Sequence, residues 1–378
     1  MQSSRVVDRE LRNIGVSANG NRPLLTPASL QNRTQAFLLR PGAVYFAGYA
    51  GFFIILLVLG PTFLPEHFLA DSSLILELKE EINFTDIGGS YFITAFIFSQ
   101  IPDWLLPVIL ICTSGTVLYL SFLRTRTFQD GALISLFLFP AVIQSMNQLQ
   151  KETIVFWLLI FALSATRVRM MRGLAAIILI AAAYVLYGSY VRNYYLLIAA
   201  VFLLICFWYM APPALRLLGT LLLLCIAIFH VPEALLEGQR FRDFTNLPRV
   251  GIDTAGHRTV FLNPLPVDGL VNFSINYLYA AIRLNAPVFF APSFKDLFLT
   301  IYAWALIYAL YRYRKPATLT GFCARALVIS HLLVLLVFEP DHGTYLRHLS
   351  SVSLMMACMI NFHRQGNDPL DLRPTVTG

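Results

Sequence analysis

Residues 173–190, GLAAIILIAAAYVLYGSY, and residues 194–211, YYLLIAAVFLLICFWYMA, decide the fold of this chain. Each run is almost entirely apolar over close to the ~20 residues that a helix needs to cross a bilayer. Only Val191, Arg192 and Asn193 lie between the two runs. Because backbone polar groups in hydrocarbon must be satisfied within their own segment, such runs form α-helices. The stretch therefore predicts a transmembrane hairpin with Arg192 at its tip.

The composition of the whole chain also favours a membrane-embedded protein. Hydrophobic residues make up 57% of the 378 residues and charged residues 13%, against about 25% charged in soluble domains. So few charges cannot coat a soluble particle of this size, and we expect lipid to cover the rest. The net charge of +7 is dispersed among apolar runs, which indicates topology signals and no nucleic-acid partner.

Ten apolar runs predict an all-α fold, a polytopic transmembrane helical bundle with about ten spanning helices. We expect the transmembrane domain over 42–363, between a flexible basic cytoplasmic tail (1–41) and a second cytoplasmic tail (364–378). The runs lie at 43–64, 104–123, 131–147, 152–166, 173–190, 194–211, 214–231, 296–312, 322–338 and 348–362.

The distribution of lysine and arginine predicts the orientation. Basic residues concentrate in alternate loops, so both termini are placed in the cytoplasm of a bacterial-type inner membrane. Two large loops, about 65–103 and 232–295, then lie outside. Each contains a candidate interfacial helix, near 91–98 and 268–285. In the second, a stripe of Asn272, Asn276 and Arg283 indicates either a helix lying on the membrane or one wall of a cavity.

Motifs of soluble enzymes are absent from the sequence. We find no Walker loop, glycine-rich dinucleotide loop, HExxH, GxSxG or paired CxxC. The five cysteines all lie in apolar runs without metal-ligand spacing, so neither a disulfide framework nor a metal site is expected. The unusual polar residues lie instead in the outer loops and at the helix ends.

The first unusual group is the charged step Lys151-Glu152 between two apolar runs. Opposite charges at the tip of an apolar hairpin form either a short hydrated loop or a polar plug that faces a substrate cavity. Arg192 at the tip of the next hairpin has a similar pair of interpretations. It is either an interfacial anchor or a guanidinium that binds a lipid-linked pyrophosphate, which its paired donors suit.

Two further groups contain most of the remaining candidates. The outer segment 240–258 is cationic, and its basic residues either bind an anionic substrate or pair with Asp243 and Asp253. The turn 339–348, EPDHGTYLRH, combines two histidines, an arginine and two carboxylates in ten residues. One histidine there could act as a general base and the arginine could bind phosphate. The basic-type groups of the cationic segment are Arg240, Arg242, Arg249, His257 and Arg258.

Three of these features resemble the bacterial polysaccharide repeat-unit polymerases of the broad Wzy/EpsG type. The first is the ten-helix layout with two large outer loops, and the second is the polar Lys151-Glu152 step between short apolar runs. The third is the segment Gly343-Thr344-Tyr345-Leu346-Arg347-His348, which is similar to a Gly-Thr-x-x-Arg-His pattern of membrane proteins from such gene clusters.

The resemblance implies a multi-spanning membrane glycosyltransferase. It would polymerise polyprenyl-diphosphate-linked oligosaccharide repeat units into an exopolysaccharide, capsule or O-antigen at the outer face of the inner membrane. It would work among membrane lipids beside polysaccharide-export or chain-length proteins, without nucleotide, metal or other cofactor. The candidate catalytic bases are His257, His342 and His348. The candidate substrate-binding residues are Lys151, Glu152, Arg192, Arg240, Arg242, Arg258, Arg283 and Arg347.

Three other functions remain open from the sequence. A metal-dependent polyprenyl-phosphate-sugar glycosyltransferase would use acidic residues of the first outer loop, such as Asp71, Glu77 and Asp86. A flippase or transporter of lipid-linked oligosaccharide would show inverted repeats or broken helices, neither of which the sequence reveals. A non-catalytic assembly partner of a synthase would bind the same substrates without product.

Overall fold

The computed structural model describes residues 40–80, 89–168, 173–229, 233–250, 260–290 and 292–363, and all regular elements among them are helical. The helical unit begins at Pro41, one residue before the predicted boundary. The predicted tails lie almost wholly outside the described residues. The helices are α1 (Pro41–Phe63), α2 (Glu66–Glu80), α3 (Ser90–Ser99), α4 (Leu106–Phe122), α5 (Phe128–Ala141), α6 (Lys151–Arg167), α7 (Gly173–Tyr190), α8 (Tyr194–Met210), α9 (Pro213–Phe229), α10 (Glu233–Asn246), α11 (Leu270–Asn285), α12 (Phe294–Arg312), α13 (Leu319–Phe338), α14 (His342–Ser350) and α15 (Ser353–Asn361).

The all-α prediction is confirmed for these residues, and six helical segments are long and apolar enough to cross a membrane. Shorter apolar helices cover Ser90–Ser99, Tyr194–Met210 and Pro213–Leu222, so the predicted count of about ten is not reached by this measure. The six segments are Pro41–Gly60, Asp103–Phe122, Phe128–Met146, Gly173–Tyr190, Phe294–Arg312 and Leu319–Phe338.

Burial separates central helices from peripheral ones. In the apolar segment of α1 only 11% of residues are buried, whereas in that of α13 the share is 72%. A helix that is apolar all round and buried belongs to the centre, and an apolar helix with exposed side chains belongs where lipid can cover it. Helix α13 packs against α8 and α15. Nearly all side chains of α13 and α15 are buried, so these two helices lie in the middle of the bundle, whereas one face of α8 is exposed.

The run predicted as one helix over 348–362 forms two helices, α14 and α15, which are separated at Ser351 and Val352. The hydroxyl of Ser350 donates to the carbonyl of Arg347 (2.8 Å), and that of Ser351 donates to the carbonyl of His348 (2.7 Å). Such local bonds compete with the helix ladder. The break is buried in protein, where irregular backbone is tolerated within a membrane.

Long-range polar contacts mark two ends of the bundle. At one end, which we call the cleft end, Arg347 of α14 meets Asp71 of α2 across 2.6 Å. At the other end, the hydroxyl of Tyr313 after α12 donates to Asp130 of α5 across 2.6 Å. The cleft end is the one that the sequence predicts to be outside. Both segments predicted as interfacial helices are helical, as α3 and α11.

Candidate functional site

A cleft of roughly 280 Å³ opens at the cleft end, where five parts of the chain meet. These parts are α2, the turn after α5, the segment before α6, the start of α12 and the start of α14. The wall combines carboxylates, amides, a hydroxyl and two cationic groups. The lining residues are Asp71, Gln144, Gln150, Lys295, Asp341, Gly343, Thr344, Leu346 and Arg347.

Arg347 is the cationic group on one side of the cleft. Its Nη1 lies 2.6 Å from Oδ2 of Asp71, and the hydroxyl of Tyr91 donates to Oδ1 of the same carboxylate across 2.7 Å. Burial alone would lower the pKa of Arg347, but the carboxylates of Glu152 and Asp71 outweigh it and the pKa is raised. Arg347 is therefore a permanent positive charge at the edge of the cleft.

Lys295 is the second cationic group, in the first turn of α12. Its side chain is exposed and forms no ion pair with any described residue. A methyl group at Gly343 would lie 3.4 Å from Nζ of Lys295 and 3.2 Å from Oδ1 of Asp341. The ammonium group therefore lies beside the start of α14, and it is available to an anion that enters the cleft.

The amide groups at the start of α14 are not available to such an anion. The carboxylate of Asp341 accepts hydrogen bonds from the backbone N–H groups of Gly343 (2.7 Å) and Thr344 (2.9 Å). This is the normal cap of a helix N-terminus. An anion in the cleft would consequently be held by the side chains of Lys295 and Arg347.

Gln144 lies in the wall of the cleft because the chain after α5 is irregular. Pro140 cannot donate a helical hydrogen bond, and residues 142–146 form a π-helical turn. Such turns are often found at functional sites. The side-chain oxygen of Gln144 is buried, and no described residue donates a hydrogen bond to it. This oxygen therefore has unused acceptor capacity just beneath the surface of the cleft.

Behind the cleft lies a buried ion pair. Nη2 of Arg192 is 3.0 Å from Oε1 of Glu152, and the two side chains are 7% and 0% exposed. Nη1 of Arg192 donates to the hydroxyl of Tyr194 across 3.0 Å. Burial alone would lower the pKa of Arg192, but Tyr194 and Glu152 outweigh it and hold the pKa well above its ordinary value.

The tight connection between α7 and α8 fixes the place of this arginine. A Cβ on Gly188 would lie 2.7 Å from the backbone nitrogen of Leu196, so only glycine allows this approach. Next to Glu152, the ammonium of Lys151 lies 3.2 Å from the centre of the Tyr91 ring. The Lys151-Glu152 step is buried, which speaks against a hydrated loop, and neither residue lines the cleft.

Both histidines of the predicted turn pair with carboxylates, and neither lines the cleft. Nδ1 of His342 lies 2.9 Å from Asp296, whose other oxygen accepts from the hydroxyl of Ser293 (2.6 Å). Nδ1 of His348 contacts Glu339. Burial lowers the pKa of both histidines despite these carboxylates. Nε2 of His342 is buried without a partner among the described residues.

Arg242 serves a different purpose from the one predicted by the sequence. The side chain is fully buried and donates to the carbonyls of Leu336 (2.6 Å) and Glu339 (3.0 Å) and to the amide oxygen of Asn263 (3.0 Å). Burial lowers its pKa to about 10, so it stays charged at neutral pH. These bonds join α10 to the end of α13, and they leave little donor capacity for a substrate.

The other predicted arginines do not themselves line the cleft, although Nη1 of Arg249 lies 3.8 Å from Oδ2 of Asp341, which does. Arg240 is partly exposed and contacts Glu233 and Glu237 of its own helix. The Arg283 guanidinium lies 4.5 Å from the centre of the Phe290 ring and also contacts the rings of Phe261 and Tyr279. His257 and Arg258 lie outside the described residues.

Of the predicted residues, Arg347 lines the cleft, and Lys151, Glu152 and Arg192 lie behind it. The sequence analysis did not name the lining residues Lys295 and Gln144 as candidates. Lys295 carried a signal, because it is a basic residue at the outer end of a predicted span, where few are expected. Gln144 lies inside the predicted run 131–147, and only its polarity could have marked it.

Asp71 was predicted only as a metal ligand of an alternative enzyme. In the structure its carboxylate contacts Arg347 and Tyr91. Among the described residues there is no group of three or more His, Cys, Asp or Glu side chains that could hold a metal ion.

No protein-family model, curated protein or solved structure matches this chain. The chemistry of the cleft therefore carries the argument for function.

Proposed function

We propose that this protein is a membrane glycosyltransferase that joins polyprenyl-diphosphate-linked oligosaccharide units at the cleft. The observation that carries the proposal is the cleft itself, whose wall contains Lys295 and Arg347 together with amides, carboxylates and a hydroxyl. One part of such a wall suits an anionic head group, and the other suits the hydroxyls of a sugar. The lipid part of the substrate suits a chain with apolar membrane-type helices.

The two cationic groups suit a diphosphate. Arginine offers paired donors to phosphate oxygens, and lysine acts as a compact point charge. During glycosyl transfer, negative charge develops on the leaving diphosphate. Cations at the site of that charge stabilise it at the transition state. Lys295 and Arg347 are therefore assigned to the leaving group.

The size of the cleft limits what it holds. Sites for small molecules are commonly about 300–1,000 Å³, and this cleft of roughly 280 Å³ lies just below that range. It suits the diphosphate and the first sugar, while the rest of the oligosaccharide extends outward. Oδ2 of Asp341, which does not cap α14, is suited to accept a hydrogen bond from a sugar hydroxyl.

His342 is one of two described candidate bases, and His348 has the same kind of pairing with a carboxylate. Asp296 accepts from Nδ1 of His342, which leaves Nε2 as the proton acceptor, as in other histidine–carboxylate pairs. Its chain neighbours Asp341 and Gly343 line the cleft. Nε2 is buried and His342 does not line the cleft, so this role requires the start of α14 to move and expose it. The acceptor hydroxyl would then lose its proton to Nε2 as its oxygen attacks the anomeric carbon. The bond from that carbon to the diphosphate breaks, and the lipid diphosphate leaves with the electron pair.

Flipping of lipid-linked oligosaccharide is the second candidate function. The break between α14 and α15 at Ser351 and Val352 favours it, because discontinuous helices build the sites of many transporters. The same cationic cleft would then hold the diphosphate during translocation without any bond being made. The metal-dependent alternative is weaker, because both oxygens of Asp71 are already engaged by Tyr91 and Arg347.

Reconstitution separates these functions. The purified chain is placed in liposomes with polyprenyl-diphosphate-linked oligosaccharide, and glycan length and lipid sidedness are measured together. We expect longer lipid-linked glycans, and at least about a 100-fold lower rate in Lys295→Ala/Arg347→Ala, consistent with loss of two charge contacts in the transition state. Asp103→Asn, which alters an exposed ion pair away from the lining, is the control. Translocation without chain growth would favour the flippase.

A further inference from the structure

Asp71 forms an ion pair with Arg347, the residue to which the diphosphate is proposed to bind. We propose that Asp71 is an internal counter-ion, which a phosphate group displaces from Arg347 when it enters the cleft. Binding of a phosphate-bearing ligand then separates α2 from α14. This inference rests on the proposed anion-binding role of the cleft, and it adds a residue that sets the affinity for the anion.

The geometry of the pair supports competition. Asp71 and Arg347 both line the cleft, and the 2.6 Å contact uses Nη1 of the guanidinium. Nε of Arg347 is buried and has no partner among the described residues. A phosphate that approaches Arg347 from the cleft therefore meets a guanidinium that already holds a carboxylate. With side chains 26% and 19% exposed, the pair is within reach of an entering ligand.

The attachment of α2 explains why displacement would have a structural effect. Helix α2 packs mainly against α3. Ile75 of α2 belongs to a small apolar cluster with Ala95, Phe98 and Leu106, separate from the main core. Asp71 thus supplies a direct polar contact from α2 to α14. Through its second oxygen it also holds the hydroxyl of Tyr91, whose ring contacts Lys151.

The competition has a quantitative consequence. The apparent affinity of a ligand is reduced by the fraction of protein whose site is open. If the Asp71–Arg347 contact is formed in about nine molecules of ten, its removal raises the apparent affinity about tenfold. Asparagine at position 71 keeps the shape and can still accept from Tyr91, but it lacks the charge that competes with phosphate.

The test uses inorganic pyrophosphate and the full chain in nanodiscs of zwitterionic lipid. Equilibrium dialysis measures binding to the wild type and to Asp71→Asn, Arg347→Gln and the double variant. Asp103→Asn is the matched control, because Asp103 pairs with Lys79 of the same α2 helix but does not line the cleft. We expect about tenfold tighter binding for Asp71→Asn, unchanged binding for Asp103→Asn, and loss of binding in both variants that lack Arg347.

The outcomes separate the two proposals. If pyrophosphate binds the wild type through Arg347 but Asp71→Asn binds no more tightly, the counter-ion proposal is overturned and the anion site stands. If no variant shows Arg347-dependent binding, the anion site of the proposed function fails, and the inference fails with it. Thermal unfolding of each variant, measured in parallel, shows whether the protein is folded.

A distance measurement checks the movement itself. Spin labels are attached at Ser73→Cys on α2 and Leu333→Cys on α13, both exposed positions, after the native cysteines are replaced by serine. Pulsed electron resonance should show that pyrophosphate lengthens or broadens the distance in the background with Asp71. In the Asp71→Asn variant, the longer or broader distance distribution should already be present without pyrophosphate. An identical narrow distribution in all four samples would contradict the displacement of α2.

Discussion

Glu152 and Arg192 form a buried ion pair, with 3.0 Å between Oε1 and Nη2, although 40 residues separate them in the sequence. The pair joins the start of α6 to the connection between α7 and α8, directly behind the cleft. The charge of each residue offsets the free-energy cost of burying the other. A single substitution therefore leaves an unpaired charge in the protein interior.

We expect either single substitution in this pair to destabilise the protein strongly. Glu152→Gln or Arg192→Leu should each lower the free energy of unfolding by about 3–5 kcal/mol, because one buried charge loses its partner. The double variant should lose less than the sum of the two. Denaturant unfolding in detergent measures the effect, with exposed Glu77→Gln as control. Single variants as stable as the control would contradict the pairing.

A methyl group on Gly188 should disturb the position of Arg192. Its Cβ would meet the backbone nitrogen of Leu196 at 2.7 Å, and backbone cannot easily give way. We expect Gly188→Ala to lower the stability by about 1–3 kcal/mol. Gly219 has no atom within 4 Å of its Cβ position. Gly219→Ala should therefore be neutral or stabilising by up to about 1 kcal/mol, and equal effects would refute the close-approach argument.

Replacement of Arg242 tests whether this residue stabilises the fold or binds the substrate. Arg242→Met leaves the carbonyls of Leu336 and Glu339 without their donor, and hydrogen bonds to charged groups contribute about 1.5–3 kcal/mol each. We expect a loss of at least about 2 kcal/mol in unfolding free energy, while folded protein keeps wild-type pyrophosphate affinity. A stable variant with abolished binding would return Arg242 to the substrate-binding role that the sequence predicts.

The two histidines of the turn 339–348 predict a loss of stability in acid. Burial lowers the pKa of His342 and His348 in the folded state, so the unfolded chain binds protons more readily below its ordinary histidine pKa of about 6.5. Their contribution is therefore present above that pH and is lost as the pH falls below it. Thermal midpoints between pH 7.5 and 5.5 should fall less steeply in His342→Gln/His348→Gln than in the wild type. An equal fall of the thermal midpoint with pH in both proteins would contradict the contribution of His342 and His348.

The sequence predicts the helical, membrane-type architecture because apolar run length and charge depletion are properties of the chain itself. The prediction of helix boundaries fails where local hydrogen bonds end a helix inside an apolar run. The run 348–362 is apolar enough for one helix, but hydroxyls of Ser350 and Ser351 bond to nearby carbonyls and the helix ends there. The turn after Pro140 is a similar case, because a π-helical turn does not change the pattern of apolar residues.

The site is only partly predictable, for a geometric reason. The sequence identifies Arg192 and Arg347 because cations are rare among apolar runs. It cannot show that Arg347 meets Asp71, because 276 residues separate them. It also leaves the segment 240–258 open as either an anion-binding site or a set of structural ion pairs. In the structure Arg242 donates to backbone carbonyls, and Arg249 lies 3.8 Å from Asp341. Which cation faces the cleft depends on packing between distant helices.

The central claim is that a lipid-linked diphosphate binds between Lys295 and Arg347. The most direct test is a cryo-electron microscopy map of the full chain in nanodiscs with polyprenyl diphosphate added. We predict density for two phosphates in the cleft, with one within hydrogen-bond distance of Arg347 and with Asp71 displaced. Density for the diphosphate elsewhere, with the Asp71–Arg347 contact intact, would contradict the account.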